Sequence, residues 1–277
     1  MSYAAIMVYV EPDRSLSGRV ELANGLAQNL GCELIGASAW MQRPPFVVEG
    51  VVVDPAPGGL ELQAMQTALN KTGEQFRAAI AAKGRTAHWR SGLEFPTEFL
   101  ARECRAADLV IVGRDPSPHD AFRHTDAGAL VLRTGRPVLV VPHDINTLEV
   151  KRALIAWKDT REARRAIRDA LPLLRKAKEV MVVEIAESGR SDEVFHAQAR
   201  LSDVVEYLQR HQIGSVANRV IPADGGVSSS LVRMATEQSF DLIVAGAYGH
   251  SRLGEWLFGG MTQELLSSCP VCCLLSH

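Results

Sequence analysis

Residues 240–277 read FDLIVAGAYGHSRLGEWLFGGMTQELLSSCPVCCLLSH, and residues 107–144 read ADLVIVGRDPSPHDAFRHTDAGALVLRTGRPVLVVPHD. Laid one over the other, the stretches need no gap. DLVIVG falls on DLIVAG, GRPVLVV falls on SCPVCCL, and Pro137 falls on Pro270. Both contain an apolar run, a polar loop, a helical stretch and a second apolar run. An internal repeat of this kind fixes the architecture before any residue-level reading. The starts of the halves match too. AAIMVYV, from residue 4, pairs with KRALIAW, from residue 151, and a second apolar run follows in each, CELIGASA or EVMVVEIA. The polar segment PHDINTLEV separates the copies and gives expected domains at 1–145 and 150–277.

Strands and helices alternate through each half. In the second half the pattern predicts strands near 152–157, 180–186, 216–221, 241–246 and 270–275, and helices over 161–177, 192–212, 228–238 and about 259–268. The strands are short, continuous runs of Val, Ile and Leu, which suit a parallel sheet covered on both faces. Alternation implies right-handed βαβ crossovers. The expected fold is therefore α/β: two doubly wound domains, each a five-stranded parallel sheet with helices on both faces. Ligands in such folds bind at the carboxyl ends of the strands. WMQRPPFVVEGVVVDPAPGG, residues 40–59, is a Pro- and Gly-rich insertion expected to be a surface loop or flap.

The bulk composition narrows the classes of function. Charged residues are 22% and apolar residues 47%, as in a globular protein, and the net charge is −2. Neither a nucleic-acid footprint nor a polybasic membrane surface is expected. No apolar run approaches the roughly 18 residues that span a bilayer. MSYAAIMVYVEPDRS lacks a basic leader and reads as a first strand, so the expected location is the cytoplasm. The five cysteines, Cys32, Cys104, Cys269, Cys272 and Cys273, cannot all pair internally, which agrees with a reducing compartment.

AGAYGHSRLGEWLFGGMTQ places Gly246, Gly249, Gly254, Gly259 and Gly260 in one window, although glycine loses the most backbone freedom on folding. The strand DLIVAG runs into Gly246, and Gly259 and Gly260 open the next helix. A helix amino terminus offers free N–H groups and partial positive charge, which favour phosphate. Glycine lets an oxyanion approach the main chain. Thr262 falls in the first turn of that helix, and His250 and Arg252 on the loop offer positive charge. The bland reading is that these glycines serve turns and a close helix–sheet contact. Neither a Walker A nor a GxGxxG fingerprint is present.

The spacing Gly246, two residues, Gly249, nine residues, Gly259 resembles the nucleotide loop of the universal stress protein family, G-x2-G-x9-G followed by Ser or Thr. The flanking strand–loop–helix–strand resembles that family's final unit, and the whole chain resembles its tandem members. The resemblance implies an adenine nucleotide alpha hydrolase-like fold and ATP or a related adenine nucleotide as ligand, with Mg²⁺ as its companion ion. It implies phosphate and ribose contacts from Gly246, Gly249, Gly259, Gly260, Met261 and Thr262, largely through backbone N–H. This chain departs from the pattern at two places. Gly260 stands where Ser or Thr is usual. Lys158 of IAWKDT stands where an Asp faces the adenine. Either Asp159 takes that role in a shifted turn, or Trp157 and Lys158 shape a different pocket; Lys158 also has the reach to meet a phosphate. In the first half Gly113 matches Gly246, but Pro116, Asp126 and Ala127 replace Gly249, Gly259 and Gly260. An aspartate at the helix opening repels phosphate at close range, so the first half reads as a degenerate copy. The resemblance also implies final strands that pair across the two halves.

Other motifs have plain structural readings. CPVCC enters a terminal strand, where Cys269 and Cys273 share one face and Cys272 the other, as core residues rather than a metal or redox set. His119 and His124 with Asp115, Asp120 and Asp126 read as a polar loop rather than a metal site. REARRAIRDALPLLRKAKE reads as an amphipathic helix with an arginine-rich outer face. GGVSSSLVRMA offers serine as a helix N-cap.

The expected function is nucleotide-dependent binding and regulation in a stress response. The second half would carry the ligand, and the chain would associate as a homodimer. No catalytic base or acid is assigned, so hydrolysis would be slow at most. Two other classes remain. One is a nucleotide-using enzyme acting through His250 or Lys158; the other is a scaffold of the same family that binds no nucleotide.

Overall fold

The computed structural model describes residues 2–12, 18–44, 46–48, 51–53, 60–114, 120–186, 190–214, 216–222, 226–249 and 260–277. The first half runs β1 (Ala5–Tyr9), α1 (Gly18–Leu30), β2 (Glu33–Ala39), β3 (Phe46–Val48), β4 (Val51–Val53), α2 (Leu60–Ala81), β5 (His88–Gly92), α3 (Pro96–Glu103), β6 (Leu109–Gly113), α4 (Ala127–Arg133) and β7 (Val138–Val141). The second runs β8 (Arg152–Trp157), α5 (Arg161–Leu174), β9 (Glu179–Ala186), α6 (Ser191–Arg210), β10 (Val216–Pro222), α7 (Val227–Glu237), β11 (Leu242–Gly246), α8 (Gly260–Ser267) and β12 (Cys272–Ser276).

Ten strands form one sheet in the order β10-β9-β8-β11-β12-β7-β6-β1-β2-β5. Within each group of five the pairing is parallel. The groups meet where β7 and β12 pair antiparallel, with Val138 opposite Leu275 and Val140 opposite Cys273. The two halves thus present mirror-ordered sheets across one seam, the pairing of final strands that the sequence comparison implies.

The central strands are closed to solvent on both faces because nearly every position in them is apolar. Leu242, Ile243 and Val244 are fully buried, as are Leu109, Val110 and Ile111. Burying each such side chain contributes roughly 1.5–3 kcal/mol. Helices α1, α2, α5 and α6 cover one face. Helices α3, α4, α7 and α8 cover the other. In α5, Ala163, Ala166, Ile167, Ala170 and Leu171 are buried at helical spacing, while Arg161, Arg164, Arg165 and Arg168 stay outside. Cys269 and Cys273 belong to one core layer and Cys272 to the other. All five cysteines are free thiols.

The 40–59 insertion departs from a plain loop: β3 and β4 form a short antiparallel hairpin. Its FVV and VVV runs are β-branched and aromatic, and such residues favour pleated backbone. Links beyond the sheet also join the halves. The Tyr3 hydroxyl donates to Asp169 O at 2.5 Å. Arg114 donates from Nη2 to Leu265 O at 3.1 Å and from Nε to Leu266 O at 3.2 Å, closing the last turn of α8. No helix among the described residues is long and apolar enough to cross a membrane.

Candidate functional site

The first and fourth strands of the second half, β8 and β11, lie side by side. From β8 the chain leaves to one face through α5, and from β11 to the other through α8. That divergence opens a crevice above the carboxyl ends of the strands. Its volume is about 910 Å³.

At the end of β8, the Thr160 amide donates to Lys158 O at 2.7 Å and turns the chain tightly. Thr160 then caps α5, its Oγ1 accepting from the Ala163 amide at 3.3 Å. Trp157 is buried at the floor, whereas Lys158 and Asp159 are exposed at the rim. Asp159 accepts from Arg164 Nη2, so its carboxylate is already committed to a guanidinium.

At the end of β11 the glycines serve different purposes. A Cβ on Gly246 would lie 2.5 Å from Ala163 N and 2.6 Å from Glu162 C. Gly246 is therefore glycine because α5 packs directly on the strand, which is the close helix–sheet contact weighed above. A Cβ on Gly249 would lie 2.9 Å from Glu162 Oε2. A Cβ on Gly260, the first residue of α8, meets no described atom within 4 Å. Thr262, one turn in, is buried, and Met261 is half-buried.

The crevice thus brings together Trp157, Lys158, Asp159, Gly246, Gly249, Gly260, Met261 and Thr262. His250, Arg252 and Gly259 lie outside the described residues. The structure adds residues that the sequence reading missed. Glu162 is buried in the first turn of α5, beside Gly249. Burial opposes its ionisation, but hydrogen bonds from Arg161 and from its own backbone amide prevail and hold its carboxyl below the ordinary value. Glu184 accepts from Arg200 Nε at 3.2 Å on the wall opposite α8. Val183 and Ile185 of β9 add an apolar strip, and Ser228 joins from α7.

Tyr248, between two of the motif glycines, holds φ +59°. This left-handed backbone is uncommon outside glycine. Its ring points across the seam, where a Cβ on Gly128 of α4 would lie 2.5 Å from the phenolic oxygen. Burial first, then the Asp126 carboxylate, pushes the Tyr248 hydroxyl up to about 12.

The equivalent region of the first half is filled by its own side chains. The Asp126 carboxylate caps α4 and accepts from the Ala129 amide at 3.0 Å. The Arg19 guanidinium stands 2.7 Å from where a Cβ on Gly113 would be, held to Glu11 at 2.7 Å. An internal carboxylate thus occupies the helix terminus of α4.

Two smaller expectations need comment. Serine does not cap α7. Gly226, at φ +115°, is the N-cap residue and makes no side-chain cap bond, while Ser229 Oγ donates back to Gly226 O at 3.2 Å. The chain enters α7 through a backbone conformation that serine rarely adopts, which shifts the cap onto glycine. Among the described residues no three His, Cys, Asp or Glu side chains converge on a metal position; Asp115 and His119 lie outside them.

A ten-stranded sheet built from two doubly wound halves, with a crevice at the carboxyl ends of the strands of the second half, defines a tandem α/β protein. Residues 149–277 match the universal stress protein family. The fold is similar to that of a universal stress protein from Archaeoglobus fulgidus DSM 4304, at TM-score 0.73 and 16% identity over 98% of this chain and 95% of that one. It is also similar to a functionally unknown protein from Pseudomonas aeruginosa PAO1, at TM-score 0.60 and 15% identity over 99% and 92% of the two chains. A putative universal stress protein from Pseudomonas aeruginosa UCBPP-PA14 gives the same values. No curated protein matches the chain.

Proposed function

We propose that the second half binds ATP or a related adenine nucleotide, and that occupancy of the crevice changes what the protein binds in a stress response. The observation that carries this reading is the start of α8. Gly260 opens a helix amino terminus where an added Cβ would meet no described atom within 4 Å, beside a crevice of about 910 Å³. Such a terminus combines unpaired N–H donors with positive potential. Gly260, Met261 and Thr262 would take phosphate oxygens, and the Val183–Ile185 strip would take the base. Lys158 at the rim adds positive charge in place of the family's aspartate.

The acids temper this fit in a specific way. Glu162 sits beside Gly249, and its low pKa keeps it charged at neutral pH. A polyanion pressed onto Gly249 would meet that carboxylate, so the phosphates belong on α8. Mg²⁺, which takes carboxylate and phosphate oxygens together, would be held by Glu162 and would screen the repulsion. The first half, capped by Asp126 and plugged by Arg19, is the structural or regulatory copy. The halves divide at 1–145 and 150–277, the protein works in the cytoplasm, and two chains associate as a homodimer.

Calorimetric titration of ATP with Mg²⁺ tests the reading, with wild type and Gly260→Asp compared. The substitution places a carboxylate where no described atom lies within 4 Å. At roughly 4 Å and an effective dielectric near 20, each unit of like charge costs about 4 kcal/mol. Binding should fall by more than about a hundred-fold. Unchanged binding in the variant rejects the site. A wild type that takes up no nucleotide favours the scaffold reading.

A further inference from the structure

Helices α5 and α6 lie on the same face of the sheet, and the groove between them has a volume of about 800 Å³. This is within the range of small-molecule sites. Ile167 and Val204 line it with the Tyr207 ring, and Trp157 lies at its base. Most of the charged groups around it are engaged. Arg164 holds Asp159, Arg165 donates to Gly135 O at 2.6 Å, and Arg200 holds Glu184. Asp169 accepts from Ser276 Oγ at 2.9 Å.

Three groups of opposite character are left. Arg168, on the α5 wall, makes no hydrogen bond or ion pair among the described residues. Asp203, on the α6 wall, makes none either. The third is Trp157, 8% exposed, whose indole Nε1 is buried and finds no acceptor among the described residues. An unpaired buried donor costs about 1–3 kcal/mol. One unpaired cation and one unpaired anion therefore line a groove whose floor is apolar and aromatic, with Trp157 at its base.

We propose that this groove is a second binding site, for a small zwitterion of the amino-acid and dipeptide class that carries an aromatic side chain. Its carboxylate pairs with Arg168 and its ammonium with Asp203. Its ring lies against Tyr207 and Val204, above Trp157. The site stands independently of the nucleotide reading, although Trp157 and Arg200 also line that crevice.

The test is a titration of the ¹⁵N-labelled full chain with L-phenylalanine and with glycyl-L-phenylalanine, reading the indole N–H resonances. Trp157→Phe assigns the Trp157 signal. Phenylacetate, which lacks the ammonium, and phenethylamine, which lacks the carboxylate, are the comparison probes. The expected result is a saturable shift of the Trp157 signal with the two zwitterions. Affinity should fall at least ten-fold in Arg168→Gln and in Asp203→Asn, and at least ten-fold for each half-charged probe. Both substituted residues are exposed, so the variants keep the fold. Saturating ATP with Mg²⁺ and the Gly260→Asp variant separate the two sites: the shift should survive both. No shift with either zwitterion overturns the proposal. So does equal binding of phenylacetate, or loss of the shift in Gly260→Asp, which would place the probe in the crevice above.

Discussion

Gly246→Ala is the substitution that most directly tests how the crevice is built. The added methyl group would sit 2.5 Å from Ala163 N and 2.6 Å from Glu162 C. Both atoms are backbone in the first turn of α5, a turn fixed by the Thr160 cap. No side-chain rotation relieves the clash; the whole helix start must lift from β11. Overpacking a tight core costs typically 1–3 kcal/mol, and a backbone obstacle puts this case near the top, at about 3 kcal/mol. At roughly 2–4 °C per kcal/mol for a chain of this size, Tm should fall by about 6–12 °C.

The repeat supplies internal controls. At Gly113, the equivalent position, a methyl group meets the Arg19 guanidinium at 2.7 Å. That is the end of a side chain, though one held by both oxygens of Glu11, so the loss should be smaller, about 1–2 kcal/mol. At Gly260 the methyl group meets no described atom, and alanine removes backbone freedom from the unfolded chain, for a gain of up to about 1 kcal/mol. Urea denaturation followed by far-ultraviolet circular dichroism, with thermal melts in parallel, gives the order directly. A Gly246→Ala protein within about 0.5 kcal/mol of wild type, the range of an ordinary surface change, would refute the account of why that glycine is there.

Two further outcomes follow from the contacts across the seam. Arg114→Ala should cost about 2–3 kcal/mol in urea denaturation, because charge-assisted bonds to Leu265 O and Leu266 O are lost. Arg114→Lys should recover only part of this, since an ammonium is a single point of charge. Tyr248→Phe should change the alkaline limb of stability. The phenol's folded pKa, about 12, lies above its ordinary 10.0. The contribution is therefore fully present below pH 10 and is lost as pH rises towards 12. Denaturation midpoints measured through that window should fall less steeply in the variant than in wild type, which Tyr3 also affects in both proteins; equal slopes would count against a buried Tyr248 hydroxyl.

The architecture was readable because both halves write it in the same ink. Uninterrupted apolar runs such as LVIV and LIVA can only be strands buried on two faces, and their gap-free superposition carries the fold from one half to the other. The helix at 161–174 was equally legible, since its arginines and apolar residues alternate at helical spacing. The crevice was readable in part. Glycine at residues 246, 249 and 260 lines the crevice for reasons that the spacing does not reveal. Gly246 yields to a helix backbone and Gly249 to a carboxylate, while at Gly260 a Cβ meets no described atom. Glu162 escaped notice because TREA looks like an ordinary helix start, and only the approach of β11 buries it. The Glu184–Arg200 pair joins residues 16 positions apart through a βα turn, which leaves no spacing signal. The serine cap failed because backbone conformation at Gly226, not side-chain preference, decided where α7 begins.

The seam between β7 and β12 carries a consequence for how the molecule behaves over time. A free-standing five-strand unit would expose its final strand and must find another molecule to cover it, at whatever concentration the cell maintains. Here the covering strand travels on the same chain, at an effective concentration in the millimolar range typical of short tethers. The match survives dilution and cannot be exchanged for a stranger's. Because each side meets only its own counterpart, an alteration on one side is never duplicated on the other. One half can place an aspartate at the start of α4 while its neighbour places a glycine at the start of α8, and the joint between them need not change.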